Sequence, residues 1–212
     1  MLADSSKGGG RARGDYSDVA VWLDAPMSDA PLHLVHKRAV MLQKDKRFTP
    51  HVLIVECGTN IDFPNKDPIF HNAFSNFDGQ TFDIGLYPPG TSRTVRFDRP
   101  GIVRVFCNIH STMSAVIVTV NSPYFAITEA DGSFVIRNVE PGEYSVHFFH
   151  ERALPETLDH LTRPLTVNAD NVNLATVSIS EAGYLPSAHK NKYGKNYPAD
   201  HNASTTYSGI DR

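Results

Sequence analysis

The sequence predicts an all-β protein on three observations: short apolar runs rich in Val, Ile and Phe, turn-forming Pro, Gly, Asn and Asp between them, and no sustained helical period. Composition agrees. Of 212 residues, 41% are hydrophobic and 20% charged, which is enough apolar mass for a core and too much for a wholly disordered or fibrous chain. The length exceeds one ordinary domain of about 100–150 residues and fits one full domain with a smaller second one.

Residues 1–14 (MLADSSKGGGRARG) cannot bury a face and are expected to form a flexible lead-in. The adhesion-like tripeptide Arg13-Gly14-Asp15 is read as chance in a polar stretch. From Tyr16 onward the expected strands are Asp18–Leu23, Arg38–Gln43, Val52–Glu56, Asn60–Phe63, Thr81–Ile84, Ser92–Phe97, Gly101–Cys107 and Ala115–Val120. The separators Asn65-Lys66-Asp67, Pro88-Pro89-Gly90 and Pro100-Gly101 fix or free φ where the chain must reverse. A two-sheet sandwich therefore fills residues 15–121.

After Asn121-Ser122-Pro123, the runs Tyr124–Thr128, Ser133–Arg137 and Glu143–Phe149 are joined by Asp131-Gly132 and Pro141-Gly142, and they predict a three-stranded meander. Pro155–Leu161 reads as a helical turn, and Arg163–Val167 and Val172–Ile179 as two more strands. This second unit, 122–180, is short, so it is expected to pack on the first and to borrow Asp18–Leu23 as an extra strand. Residues 181–212 are polar and carry Tyr184, Tyr193, Tyr197 and Tyr207; they form either an arm that docks on a partner or on its own chain, or a disordered terminus. The sequon Asn202-Ala203-Ser204 is expected to be unused.

A formal charge of -3 argues against a polyanionic partner, so nucleic acid is disfavoured. Two cysteines, Cys57 and Cys107, allow at most one disulfide and exclude a disulfide framework. No apolar leader stands in residues 1–15, and no run approaches the roughly 18 apolar residues of a membrane span.

Chemistry concentrates in Cys107-Asn108-Ile109-His110-Ser111-Thr112-Met113, which sets a thiolate, an imidazole and a thioether at intervals of three between two strands. His71 opens His71-Asn72 in an upstream loop. Two His and one Cys in a trigonal plane, with a weak axial Met, is the blue-copper arrangement, and His71, Cys107, His110 and Met113 supply it. Several alternatives stand beside it. Haem c attachment needs Cys-x-x-Cys-His, structural zinc draws on paired motifs, and a Cys-His dyad three apart does not place the imidazole as a base. The plainest alternative is a buried core cysteine, because Val103, Val105 and Cys107 share one face by alternation. Cys57 is expected to be a small, partly buried thiol. His147 and His150 point to opposite faces of one strand; His51 is read as a surface or supporting residue; His33, His36, His160, His189 and His201 show no ligand spacing.

Residues 50–120 resemble the cupredoxins through Phe63-Pro64-Asn65-Lys66-Asp67 leading to His71-Asn72, and through Pro100-Gly101-Ile102-Val103-Arg104-Val105-Phe106-Cys107-Asn108-Ile109-His110. The two-residue gap between His110 and Met113 looks like the short ligand loop of amicyanin rather than that of plastocyanin or azurin. The resemblance implies a Greek-key cupredoxin β-sandwich holding one copper ion at His71, Cys107, His110 and Met113. Asp131-Gly132-Ser133-Phe134 and Asn138-Val139-Glu140-Pro141-Gly142-Glu143-Tyr144 are similar to a carboxypeptidase regulatory-like, transthyretin-type domain, which implies a second small β-sandwich. The pairing, with Ser122-Pro123-Tyr124-Phe125-Ala126 as joint, resembles bacterial methylamine-utilisation-like proteins.

The resemblance implies a one-electron carrier, not an enzyme, taking electrons from a c-type cytochrome or a dehydrogenase. His110 would be the electron port, with Ile109, Pro88 and Pro89 at its rim. The alternative is a docking subunit of an extracytoplasmic assembly, held through the C-terminal domain and arm, with copper structural or lost. An open-copper enzyme is disfavoured because Met113 fills the substrate position. Copper chemistry implies a periplasmic or cell-surface location, and hence a chain that begins after a processed leader.

Overall fold

The computed structural model describes residues 2–3, 14–24, 37–76, 79–168, 172–185 and 189–197. Among them the chain is all-β, as expected, with one short helix. The first strands are β1 (Leu2–Ala3), β2 (Ala20–Asp24), β3 (Arg38–Val40), β4 (Leu42–Lys44), β5 (Arg47–Thr49) and β6 (Val52–Glu56). Then come β7 (Thr59–Pro64), β8 (Phe74–Ser75), β9 (Phe82–Asp83), β10 (Ser92–Phe97), β11 (Gly101–Phe106) and β12 (Ser114–Val120). The chain continues with β13 (Phe125–Ile127), β14 (Gly142–Phe149), helix α1 (Pro155–Leu161), β15 (Arg163–Val167) and β16 (Ile179–Ser180). Two compact units interleave in sequence: the described parts of Met1–Val35, Val52–Cys57 and Val118–Pro186 form one, and those of His36–His51, Gly58–Ile117 and Ser187–Arg212 the other.

In the second of these units, β10 pairs antiparallel with β7, Ser92 opposite Pro64 through Phe97 opposite Thr59, and β3 lies parallel on the other side of β7. β7 alternates by the period of two that one buried face requires: Thr59, Ile61 and Phe63 point inward. A second sheet contributes β11, β8 and β9 to this unit, in that order. Phe82 of β9 packs on Phe63 of β7 and Phe97 of β10, with ring centroids 5.8 and 5.6 Å apart, so the two sheets face each other across an aromatic core. The expected strand Arg38–Gln43 is broken at Met41 into β3 and β4, and β4 folds back on β5 in a hairpin. Its turn residues Asp45 and Lys46 both have φ of 54°, the left-handed pair that a tight hairpin demands.

In the other unit the order is β13-β2-β14-β15, all antiparallel. Val19, Val21 and Leu23 meet Tyr144, Val146 and Phe148 in its core. Here β2, expected as a borrowed strand, lies between β13 and β14, and the expected meander does not form. Ser133–Arg137 is irregular, although Gly132 turns the chain with φ of 84° as its signal predicts. Phe134 and Ile136 still pack on the core: alternation identifies the buried face, but β2 holds the hydrogen-bonding edges that Ser133–Arg137 would need. Of Val172–Ile179 only Ile179 is in a strand, β16, which pairs parallel with β1 inside the supposed lead-in.

Candidate metal centre

The loop from β7 to β8 carries His71. A single antiparallel bridge to Tyr87 fixes its backbone, with each amide donating to the other's carbonyl at 3.2 and 2.9 Å. Both side chains are fully buried on the inner face, while Phe70 and Leu86 beside them are exposed. The Tyr87 hydroxyl donates to the Phe63 carbonyl at 2.9 Å and accepts from Gln43 Nε2. Burial pushes the Tyr87 phenol far above its ordinary range, and the charge of Cys107 adds to the rise, so it stays a donor.

Strand β11 alternates Val103 in, Arg104 out, Val105 in, and delivers Cys107 fully buried at its end. A tight loop follows. The Met113 amide donates to His110 O and the Cys107 amide donates to Met113 O, each at 3.2 Å. Met113 is fully buried and stands immediately before β12.

The Nδ1 of His71 lies 3.9 Å from Cys107 Sγ, and the Nδ1 of His110 lies 3.7 Å from it. All three donor atoms fall within 4.8 Å of one another. Two metal bonds of about 2.0 Å to nitrogen and about 2.3 Å to sulfur, opened by about 120°, separate their donors by about 3.7 Å. The spacing therefore fits a shared ion. One thiolate and two imidazoles are the donor set copper accepts in both oxidation states. Cys57 and Cys107 are not disulfide-bonded, which leaves the Cys107 sulfur available.

The remote nitrogen of each ligand decides how firmly its ring is held. His71 Nε2 lies 2.7 Å from Asp67 Oδ2. Asp67 in turn accepts the amides of Asp45 at 2.6 Å and Lys46 at 2.9 Å, the two left-handed residues of the hairpin turn. Burial alone would raise the Asp67 carboxyl, but these amides and His71 hold it below the ordinary value. Asn72 joins the loops that carry His71 and Cys107: its Oδ1 accepts the Asn108 amide at 3.2 Å. Its Nδ2 donates to Asp83 Oδ1 at 2.7 Å.

Sequence reasoning treated Asp67 as a turn residue; its spacing of four before His71 was the available signal. It also passed over His189, which stacks on Phe106 with centroids 4.2 Å apart. Of the arm tyrosines, Tyr197 reaches the ligand strand, Tyr193 is 70% exposed, and Tyr207 lies outside the described residues, as do His33, His36, His201, Arg13 and the sequon. His147 and His150 diverge as expected, the first towards Asp24 and Trp22, the second towards Glu181. His51 is half-buried, and its carbonyl accepts the Val116 amide.

No family model matches the chain, and no curated protein matches it. Among solved structures it is similar to the Cu-containing nitrite reductase (NirK) of Thermus scotoductus SA-01, at 22% identity and a TM-score of 0.38, over 40% of this chain and 22% of that one. It is also similar to a purple cupredoxin from Nitrosopumilus maritimus, at 18% identity and a TM-score of 0.36, over 39% of this chain and 99% of that one. Amicyanin from Paracoccus versutus matches at 15% identity and a TM-score of 0.37, over 43% of this chain and 86% of that one.

Proposed function

We propose that the chain is a type 1 copper protein that carries single electrons between extracytoplasmic redox partners, a c-type cytochrome or a dehydrogenase among them. The observation that carries this reading is that His71 Nδ1 and His110 Nδ1 lie 3.9 and 3.7 Å from Cys107 Sγ, with the donor atoms of the three residues within 4.8 Å of one another. When bound, copper supplies the one-electron chemistry between Cu(I) and Cu(II). The chain's own residues do the rest. Asp67 and Asn72 hold the ligand loops from behind, so the donors need not rearrange as charge changes. Met113, buried beside the loop, would supply a thioether as the fourth donor in this reading.

Half-buried His110 and Ile109 are the electron port, with exposed Pro88 and Pro89 at its rim. Phe70 and Leu86, 42% and 54% exposed, add apolar surface next to the His71–Tyr87 bridge. Such surfaces suit brief encounters of small area. No helix among the described residues is long and apolar enough to cross a membrane. A docking subunit is the less favoured reading, because the described arm residues 189–197 grip their own chain.

The optical spectrum of the copper-loaded protein tests the proposal. An intense thiolate-to-copper charge-transfer band is expected, absent in Cys107→Ser, whose hydroxyl is a harder and less covalent donor. A Cys107→Ser protein that stays blue overturns the assignment. Fractionation of the native host tests the location, and a protein found only in the cytosol overturns it.

A further inference from the structure

The segment 189–197 lies against both ligand loops. Tyr197 Oη donates to the Cys107 carbonyl at 2.5 Å. It also lies 3.2 Å from His189 Nδ1, and His189 covers Phe106 at an interplanar angle of 24°. Between these anchors the Lys192 amide donates to Asn108 Oδ1 at 3.0 Å, and Lys192 Nζ pairs with Asp83 Oδ2 at 2.7 Å. Asp83 holds Asn72, and Asn72 holds Asn108. A closed ring of hydrogen bonds thus runs Asn108, Asn72, Asp83, Lys192 and back to Asn108, with His71 and Cys107 each one residue from it.

We infer that residues 189–197 are a strap that positions the metal-ligand loop, with Tyr197 and Lys192 as its positioning residues. The inference rests on the copper reading for the ion and on the geometry above for the strap. The Cys107 main chain is held on both sides: its amide by Met113 and its carbonyl by Tyr197. In the loop that follows, Asn108 is held from outside by Asn72 and by the Lys192 amide. Fixing the Cys107 peptide fixes the direction of its Cα–Cβ bond, and with it the place of the sulfur relative to the two imidazoles. A hydrogen-bond ring through both loops then makes the ligands move together or not at all.

The test uses the full chain loaded with Cu(II), and the variants Tyr197→Phe, Lys192→Met and, as a control, Tyr184→Phe. Loss of one hydrogen bond, on the order of 1 kcal/mol, corresponds to about a fivefold change in an equilibrium or rate. Tyr197→Phe is expected to speed copper loss to a chelator about fivefold, Lys192→Met, whose ion pair with Asp83 is exposed, by up to that factor, and both to displace the reduction potential, while Tyr184→Phe behaves as wild type. Amide exchange in the metal-free protein is expected to rise at Asn108 and Lys192 in the first two variants only. Wild-type copper-release rate and potential in both variants overturn the strap, as does faster exchange with unchanged potential, which would mark it as structural only. A wild-type protein that binds Cu(II) without the thiolate band overturns the electron-carrier reading alone, and the release rates still judge the strap. A wild-type protein that binds no Cu(II) overturns both.

Discussion

Asp67 Oδ2 lies 2.7 Å from His71 Nε2, and the same carboxylate accepts the amides of the β4–β5 hairpin turn. The pair therefore couples the left-handed turn to His71, a ligand of the proposed copper site. The left-handed φ at Asp45 and Lys46 is disfavoured for residues with a Cβ, and the two amides it turns towards Asp67 help to offset that cost. Asp67→Asn keeps the volume but removes the charge and puts a donor where an acceptor was needed. Copper affinity is expected to fall about 10- to 100-fold, the usual effect of losing such a supporting carboxylate. Competition with a chelator of known affinity measures it, and an unchanged affinity refutes the role.

Asn72→Ala opens the link between the ligand loops. The Asn108 amide loses its acceptor and Asp83 loses a donor, while His71 itself keeps its bridge to Tyr87. The expected result is a displaced reduction potential and weaker copper binding in a protein that still folds. Voltammetry and copper titration check it: unchanged potential and affinity would show that the loops are held by their backbones alone.

The pattern of what was legible follows the range of the forces. Val52–Glu56, Ser92–Phe97, Pro155–Leu161 and Arg163–Val167 were readable with their observed bounds, because a short run bounded by turn residues or led by a proline is written locally. The gathering of His71, Cys107 and His110 was legible through their donor types, which are independent of packing detail. The hairpin at Asp45-Lys46 was not, because Lys46 gives no signal for a left-handed turn beside Asp45 and the support comes from Asp67, over twenty positions away in sequence. The docking of Tyr197 on Cys107 spans ninety positions, and no local pattern encodes it.

Acid stability gives a prediction independent of the metal. Asp62 lies at the centre of the three-stranded sheet, accepting from Arg38 of β3 at 2.7 Å and from Thr94 of β10 at 2.5 Å. The Arg38 hydrogen bond, then that of Thr94, holds its carboxyl below the ordinary value despite partial burial. A carboxyl lowered on folding contributes stability that is fully present above its unfolded value of about 3.9 and is lost as pH falls through the lowered native value. Denaturant melts of the metal-free protein should show less loss of stability below pH 4 in Asp62→Asn than in wild type. Parallel pH profiles for the two proteins would refute it.

Met113 occupies the last turn of the ligand loop, fully buried, its amide bonded to His110 O and its carbonyl to the Cys107 amide. Those backbone bonds hold the loop whatever side chain position 113 carries, so the thioether is available to tune rather than to hold. Met113→Leu nearly conserves volume, and the expected cost to folding is below about 1.5 kcal/mol. An axial bond in such a site is long and weak, so copper should stay bound by the two imidazoles and the thiolate. Removing a sulfur donor destabilises Cu(II) more than Cu(I), so the reduction potential should rise while the thiolate band persists. Met113→Gln, with a harder oxygen that favours Cu(II), should lower it. If Met113→Leu changes neither potential nor spectrum, the side chain is core packing alone, and the weak fourth contact belongs to another group.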